Sequence, residues 1–336
     1  MGTGMTPRWL FPLLCVLPFT VAAGPQSLVL EPAGESRGRH VVLVSGDQEY
    51  RSEESLPMLA KILSQRHGFT CTVLFAVEPD GTINPDNIRT LGDADVLEQA
   101  DAIVLALRWR DYPDDIMKHF VAAFRRGVPI VALRTSTHAF KLTSPTYAWF
   151  NRFGKEVLGE DWVEHWGHHA FEATRGVIEP SAKDDPLLRG VQDVFGPTDV
   201  YEVYPPRDAK ILLRGQVVKG LNPNDPPATH AKKRTSDGVE QPVNEPMMPL
   251  AWTRLYRNEA GRTNRIFVTT MGASVDLASE DLRRLVVNGV YWALELPIPA
   301  RANVDYVDPF SPRYFGWKSD GFKRGMRPAD YGLLKR

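Results

Sequence analysis

Two hydrophobic rhythms alternate along the first half of the chain. Uninterrupted apolar runs occur at His40-Val-Val-Leu-Val-Ser45, Thr70 to Ala76, Ala102-Ile-Val-Leu-Ala-Leu107 and Val128 to Leu133. Runs this short, without polar alternation, suit strands buried on both faces. Between them, apolar positions recur at helical spacing. Leu56, Leu59, Ile62 and Leu63 form one stripe, behind Ser52 as a cap and Glu53 and Glu54 in the first turn, and the helix stops near His67-Gly68. A second helix is predicted from about Asp114 to Arg126, ended by Gly127. Residues 78–97 are polar and read as a connection with a short helix starting near Pro85. This β-α-β-β-α-β order predicts an α/β fold with a doubly wound, mostly parallel sheet. Right-handed crossovers then bring the loops that follow the strands to one edge.

The rhythm changes after Leu133. Tyr147 to Leu158 reads as helix, with strand-like pieces at 170–178, 199–204 and 210–218. Residues 219–247, rich in Pro, Asn and Lys, read as a long surface loop. Leu250-Ala-Trp-Thr-Arg254 and Arg265-Ile-Phe-Val-Thr-Thr270 are predicted as a hairpin across Asn258-Glu-Ala-Gly261. A last helix runs from about Ser279 to Leu294, with Ser279 as N-cap before Glu280 and Asp281. From Pro297 the chain is rich in Pro, aromatic and basic residues and is expected to wrap the surface.

The N-terminus reads as a secretory signal peptide. Arg8 precedes an apolar stretch from Trp9 to Val21, and Val21-Ala-Ala23 supplies the small residues before a cut after Ala23. The apolar stretch is too short and Pro-interrupted for a stable membrane span. The domain plan is therefore signal peptide 1–23, polar linker 24–38, one elaborated α/β domain 39–299 and an extended tail 300–336. The mature protein is expected in the periplasm or outside the cell. Cleavage leaves Cys71 alone in an apolar run, so no internal disulfide forms and the thiol is expected to be inert. A formal net charge of −1 argues against nucleic acid or an anionic membrane as partner. The basic tail, Lys318 to Arg336, is most simply solvated; its sharper reading is a subunit interface, which keeps a homo-oligomer open.

Candidate chemistry concentrates in the loops predicted at the carboxyl edge of the sheet, where open α/β sheets bind ligands. Leu133-Arg-Thr-Ser-Thr-His138 resembles a nucleophile elbow in position, but the Gly-x-Ser-x-Gly pattern is absent. Ser136 is accordingly a hydrogen-bonding group before it is a nucleophile. His165-Trp-Gly-His168-His169 is the least ordinary segment. Imidazoles at this spacing suit proton transfer or a divalent transition metal such as zinc, and His138, His168 and His169 are the set chosen for either role. The zincin pattern and regular Cys/His spacings are absent, so no cofactor is certain, and histidines satisfied by backbone groups remain the plain alternative.

Asp47 and Arg51 follow the first strand and can bind an anion or sugar hydroxyls, or simply brace a helix start. Trp109, between Arg108 and Arg110, suits the apolar face of a sugar, although Trp also fills cores. Arg134 is placed to hold hydroxyls or developing negative charge. Asp199 and Tyr201 add polar groups at a strand end, with Asp47 and Asp199 as candidates to orient a histidine. Gly272 is placed to allow a close backbone approach.

Several of these segments, in order from His40 to Leu296, resemble the ThuA-like, trehalose-utilisation family. They are Ser45-Gly-Asp with Tyr50-Arg51, Ala132-Leu-Arg-Thr-Ser-Thr-His-Ala-Phe140, His165-x-Gly-His-His169, Gly196-Pro-Thr-Asp-Val-Tyr201, Pro249-Leu-Ala-Trp-Thr253, Thr269-Thr-Met-Gly-Ala-Ser274 and Asn288-Gly-Val-Tyr-Trp-Ala293. The resemblance implies a class I glutamine amidotransferase-like fold, itself flavodoxin-like, and an association with disaccharide utilisation. Amidotransferases place a cysteine nucleophile where this chain has Arg134-Thr-Ser136, so glutamine hydrolysis is not expected. Many members carry Gly-Leu-His where this chain has Ala132-Leu-Arg134, with His138 near enough to compensate. The expectation is an exported enzyme acting on a small carbohydrate, a sugar or oxidised sugar derivative, by hydrolysis, isomerisation or elimination. The alternative is a non-catalytic carbohydrate-binding or assembly protein.

Overall fold

In the computed structural model, which describes residues 1–2, 25–317 and 321–334, the four apolar runs become neighbours in one ten-stranded sheet. From residue 3 through the expected cleavage point at Ala23, the signal-peptide segment lies outside the described residues. In chain order the first strands are β1 (Ser27–Leu30), β2 (His40–Gly46), β3 (Thr70–Leu74), β4 (Ala102–Leu107), β5 (Ile130–Leu133), β6 (Glu164–His165) and β7 (Ala173–Ile178). They are followed by β8 (Val194–Gly196), β9 (Tyr201–Glu202), β10 (Lys210–Val218), β11 (Ala231–Lys233), β12 (Glu240–Pro242), β13 (Met248–Arg257) and β14 (Thr263–Thr269). The α-helices are α1 (Ser52–His67), α2 (Asp114–Arg125) and α3 (Glu280–Ala293).

The large sheet runs β1-β3-β2-β4-β5-β14-β13-β10-β7-β8. Its central strands, β3 through β14, are mutually parallel, while every pairing outside them is antiparallel. Successive residues of β2 explain the lack of polar alternation. Val41 and Leu43 pack with α1 and α3 in one core, and Val42 and Val44 pack with α2 in the other. The parallel strands, taken in chain order, stand 2-1-3-4-5, the flavodoxin-like order. The crevice beyond the carboxyl ends of β2 and β4 is therefore the expected ligand position.

Several local expectations change. Residues 24–38 are not a free linker, since β1 pairs antiparallel with β3 and buries Leu28 and Leu30. Ser52 does not cap α1. Arg51 takes the N-cap position in the left-handed region (φ 60°), and the Ser52 hydroxyl accepts from the Asp47 N–H at 2.9 Å. Residues 78–97 contain no helix near Pro85; a 3-10 turn forms later, at Ala94–Gln99. The predicted helix at 147–158 is a 3-10 turn followed by a π turn. Gly154 sits where a Cβ would stand 1.7 Å from the Thr137 carbonyl, so the backbone here is held against the loop after β5. Within 219–247, β11 and β12 form a hairpin. The hairpin β13–β14 and the Ser279 cap of α3 form as the pattern predicts. The tail crosses α1 and α3: Lys61 pairs with Asp308 at 2.7 Å, and Arg283 donates to Val304 O at 3.1 Å. It returns to the end of β2, where the Gly316 N–H donates to Glu49 O at 3.0 Å.

Candidate functional site

The chain leaves β5 through Arg134, whose φ of 44° is a left-handed conformation that costs a non-glycine residue roughly 1–2 kcal/mol. The turn is closed by a bond from the Arg134 N–H to Met271 O, and Gly272 brings its backbone against Leu133, where a Cβ would meet the Leu133 Cβ at 2.8 Å. The turn sends the guanidinium inward between the rings of Tyr50 and Tyr201, 4.6 and 3.9 Å from their centroids. There it donates to Asp199 O at 2.7 Å, Thr270 O at 2.9 Å, Tyr50 OH at 3.2 Å and Asp199 Oδ1 at 3.1 Å. Arg134 thus organises the floor of the site.

Asp199 is fully buried, and its two oxygens are shared between two histidines. His165 Nδ1 lies 2.7 Å from Oδ2, and His169 Nδ1 lies 3.0 Å from Oδ1. Burial raises the Asp199 carboxyl, but Arg134 and the bonds from His165 and His169 outweigh it and hold the group well below the usual carboxylate range. The two imidazoles stand 4.3 Å apart between centroids. A histidine that donates Nδ1–H to a carboxylate presents Nε2 as its free acceptor. The position of His165 is set by β6 pairing with β9, and by Trp166, buried beneath with its indole N–H donating to Val243 O at 2.8 Å.

Around this pair lie groups of contrasting polarity. His169 Nε2 is 3.5 Å from Glu49 Oε1, and Glu49 Oε2 is 3.3 Å from Arg108 Nε. Burial, and then the neighbouring Asp47, raise the Glu49 carboxyl despite Arg108 and His169. Arg108 lies between two indoles, 4.0 Å from Trp109 and 4.8 Å from Trp317. His138 packs against Trp109 and Trp162, at 5.0 and 5.6 Å. Burial lowers its pKa well below the ordinary value, assisted by Arg108 and Arg134, so it is neutral near pH 7. Phe315, from the tail, closes one side against Tyr50 and His169 at 5.4 and 5.5 Å.

The remaining expected residues have structural settings. Asp47 Oδ1 accepts the N–H groups of Glu49 and Tyr50 at 2.9 and 3.1 Å, and Oδ2 accepts from the Thr135 hydroxyl. Arg51 donates to Gln48 O, to Glu49 O at 3.2 Å and to Gly316 O at 2.8 Å, bracing the loop and the tail. The buried Ser136 hydroxyl donates to Leu105 O at 2.9 Å and accepts from the Leu107 N–H at 3.2 Å. Tyr201 lies under Arg134.

The set His138, His168 and His169 is not one cluster. His168 and His169 project to different sides of their turn, and the His168 side chain is 62% exposed, 3.1 Å from Glu172. The partner of His169 is His165, which belongs to the same sequence segment but was not in the expected set. Glu49 and Tyr50 were not among the expected site residues, although both lie between Asp47 and Arg51, which were. Phe315 and Trp317 were not among the expected site residues, because their place at the site depends on the path of the tail.

His165, His169 and Asp199 bring ligand-capable atoms within 4.8 Å of one another, as do His168, Glu172 and His230. In the first group the carboxylate already accepts from both imidazoles and from Arg134, so it orients the histidines. That arrangement provides two directed imidazole acceptors, a carboxyl held toward its neutral form and a fixed guanidinium. It can move protons at a polar ligand.

A family model described as ThuA, trehalose utilisation, matches residues 40–293. Among solved structures, a ThuA-like protein from Parabacteroides merdae is 14% identical, with 76% of this chain and 90% of that chain covered and a TM-score of 0.49. A ThuA-like protein from Bacteroides uniformis is 15% identical, covers 78% and 93%, and has a TM-score of 0.46. An exo-beta-1,4-mannosidase from Opitutaceae bacterium strain TAV5 is 10% identical, covers 76% and 36%, and has a TM-score of 0.30. No curated protein matches the chain.

Proposed function

The chain belongs to the ThuA, trehalose-utilisation, family, and from that premise we propose that it is a carbohydrate-active enzyme working by proton transfer at the His165–Asp199–His169 cluster. The observation that carries this reading is the sharing of one buried carboxylate by two imidazoles, at 2.7 and 3.0 Å. Sugar binding alone has little need of two histidines held in one tautomer by an arginine-neutralised aspartate. In the proposed reaction, Nε2 of His169 or His165 accepts a proton from the substrate. Glu49, whose carboxyl is raised toward its neutral form, donates one. Arg108 stabilises negative charge that develops on a substrate oxygen, and Trp109 and Trp162 offer apolar faces to the ring.

Among the described residues, neither Ser136 nor Cys71 is placed as a covalent nucleophile. Ser136 is committed to two backbone bonds, and Cys71 lies inside β3 with its thiol pushed up by burial. With a proton acceptor at Nε2 of a histidine and a proton donor at Glu49, the reaction read here is isomerisation or elimination on an oxidised sugar. A doubly wound sheet with crossovers on both faces accounts for the cluster's place beyond the strand ends. We place the protein outside the cytoplasm on the strength of its N-terminal sequence, Arg8 followed by an apolar stretch and Val21-Ala-Ala23.

Turnover of sugars and their keto and acid derivatives by residues 24–336 tests the reading. Asp199→Asn and His165→Gln are expected to lower kcat by about 10²–10⁴. Undiminished turnover in both folded variants would refute the assignment. Calorimetric sugar binding with no product from any substrate would favour the non-catalytic, carbohydrate-binding reading instead.

A further inference from the structure

A second group of metal-binding side chains lies outside the cluster just described. We infer that His168, Glu172 and His230 form a separate site for a divalent transition metal, zinc being the best match. His168 and Glu172 close one turn: the Glu172 N–H donates to His168 O at 2.9 Å, and Glu172 Oε2 accepts the His168 N–H at 2.7 Å. His230 stands at the base of the β11–β12 hairpin, where the Val243 N–H donates to His230 O at 3.1 Å. The two imidazoles stack with centroids 4.5 Å apart and planes inclined by 22°. Both direct Nδ1 at the carboxylate, His168 at 3.1 Å from Oε2 and His230 at 3.5 Å from Oε1.

Ligand-capable atoms of the three residues lie within 4.8 Å of one another, close enough for one ion to draw them together. Bonds of about 2.0–2.2 Å to imidazole nitrogen and carboxylate oxygen put adjacent ligand atoms of a tetrahedral ion roughly 3.3–3.6 Å apart. Charge points the same way. Asp199 has Arg134 as its cation, whereas among the described residues Glu172 has ion-pair contacts only with these two histidines. Its side chain is 7% exposed, so a carboxylate there calls for a compensating positive charge. The exposed side of His168 leaves the remaining coordination position to water.

A bound ion would tie the turn 168–172 to the hairpin. From that hairpin Lys232 Nζ donates to His165 O, and the Thr235 N–H donates to Glu202 Oε1 at 2.9 Å. The metal therefore fastens the hairpin over the segment that carries His165 and His169. Its role is to hold the site's framework, apart from the proton transfer itself.

The test is zinc titration of untagged, EDTA-treated protein followed by isothermal calorimetry, with thermal melting as a second readout. One zinc per chain is expected, with a rise in Tm on binding. His168→Ala removes an exposed ligand and so leaves the metal-free fold intact, checked by its Tm in EDTA. It should weaken zinc binding at least about tenfold, as should His230→Gln. His165→Ala should leave zinc affinity unchanged. Absence of stoichiometric binding would overturn the inference, as would binding that survives His168→Ala or is lost in His165→Ala. The readout is metal affinity, so it stands or falls independently of the turnover measured in the Asp199 and His165 variants.

Discussion

Replacing Arg134 with methionine probes the centre of the site through stability. The Arg134 side chain is 1% exposed and that of Asp199 is 0% exposed, with 3.1 Å between the charged groups. Methionine fills much of the same channel between Tyr50 and Tyr201, so the cavity left behind is small. What changes is charge: the Asp199 carboxylate stays buried without its cation, and the carbonyls of Asp199 and Thr270 lose a donor. Breaking a buried pair from one side costs about 3–5 kcal/mol. At roughly 2 °C per kcal/mol for a chain of this size, Tm falls by about 6–10 °C. The assay is differential scanning calorimetry of residues 24–336 at pH 7, with Arg134→Met alone and combined with Asp199→Asn. The double variant has no uncompensated charge, so it should recover part of the loss.

Acidification supplies an independent check. The folded Asp199 carboxyl is held below its unfolded value. Its contribution is present above the unfolded pKa, near about 3.9, and is lost as pH falls through the folded value. The gap between wild type and Arg134→Met should therefore shrink as the pH falls below about 4. A drop in Tm of less than about 2 °C at pH 7, or a gap that does not change on acidification, would refute the account of Arg134 as keystone.

Two further outcomes follow from buried groups near the site. Burial pushes the Glu53 carboxyl up to about 8, against its own backbone N–H and Arg51. A raised acid stabilises the fold most below its unfolded pKa, and that stability is lost between about pH 4.3 and 8. Glu53→Gln should therefore melt well above wild type at pH 8 and close to it at pH 4–5; an equal difference at both would contradict this placement. Ser136→Ala should cost about 1–3 kcal/mol through the freed backbone groups of Leu105 and Leu107, and leave turnover within about twofold. A hundredfold fall in kcat with Tm intact would instead make Ser136 a nucleophile.

The chain's own pattern was enough for its regular elements. The apolar runs at 40–45, 70–76, 102–107 and 128–133 predicted β2 to β5 because a strand buried on both faces favours apolar residues at successive positions. The stripe of α1, the span of α2, the Ser279 cap and the Asn258 turn were equally local, since each depends on a few residues in sequence. The same local reading found the segment His165 to His169 and the loops around Asp47, Arg108 and Arg134. It could not rank the residues within them.

That ranking was decided by tertiary contacts. Asp199 selects His165 and His169 because β9 pairs with β6 and Arg134 neutralises the carboxylate from another strand end. His168, next to His169 in sequence, faces Glu172 and His230. Asp47, Arg51 and Ser136 had the right residue types, but buried backbone groups claim their polar atoms. Edge strand β1 and the return of Phe315 to Tyr50 likewise rest on contacts with distant segments. Periodicity reports which face of an element is buried. Which polar atoms are left free for chemistry depends on what folding brings against them, and that is a property of the assembled structure.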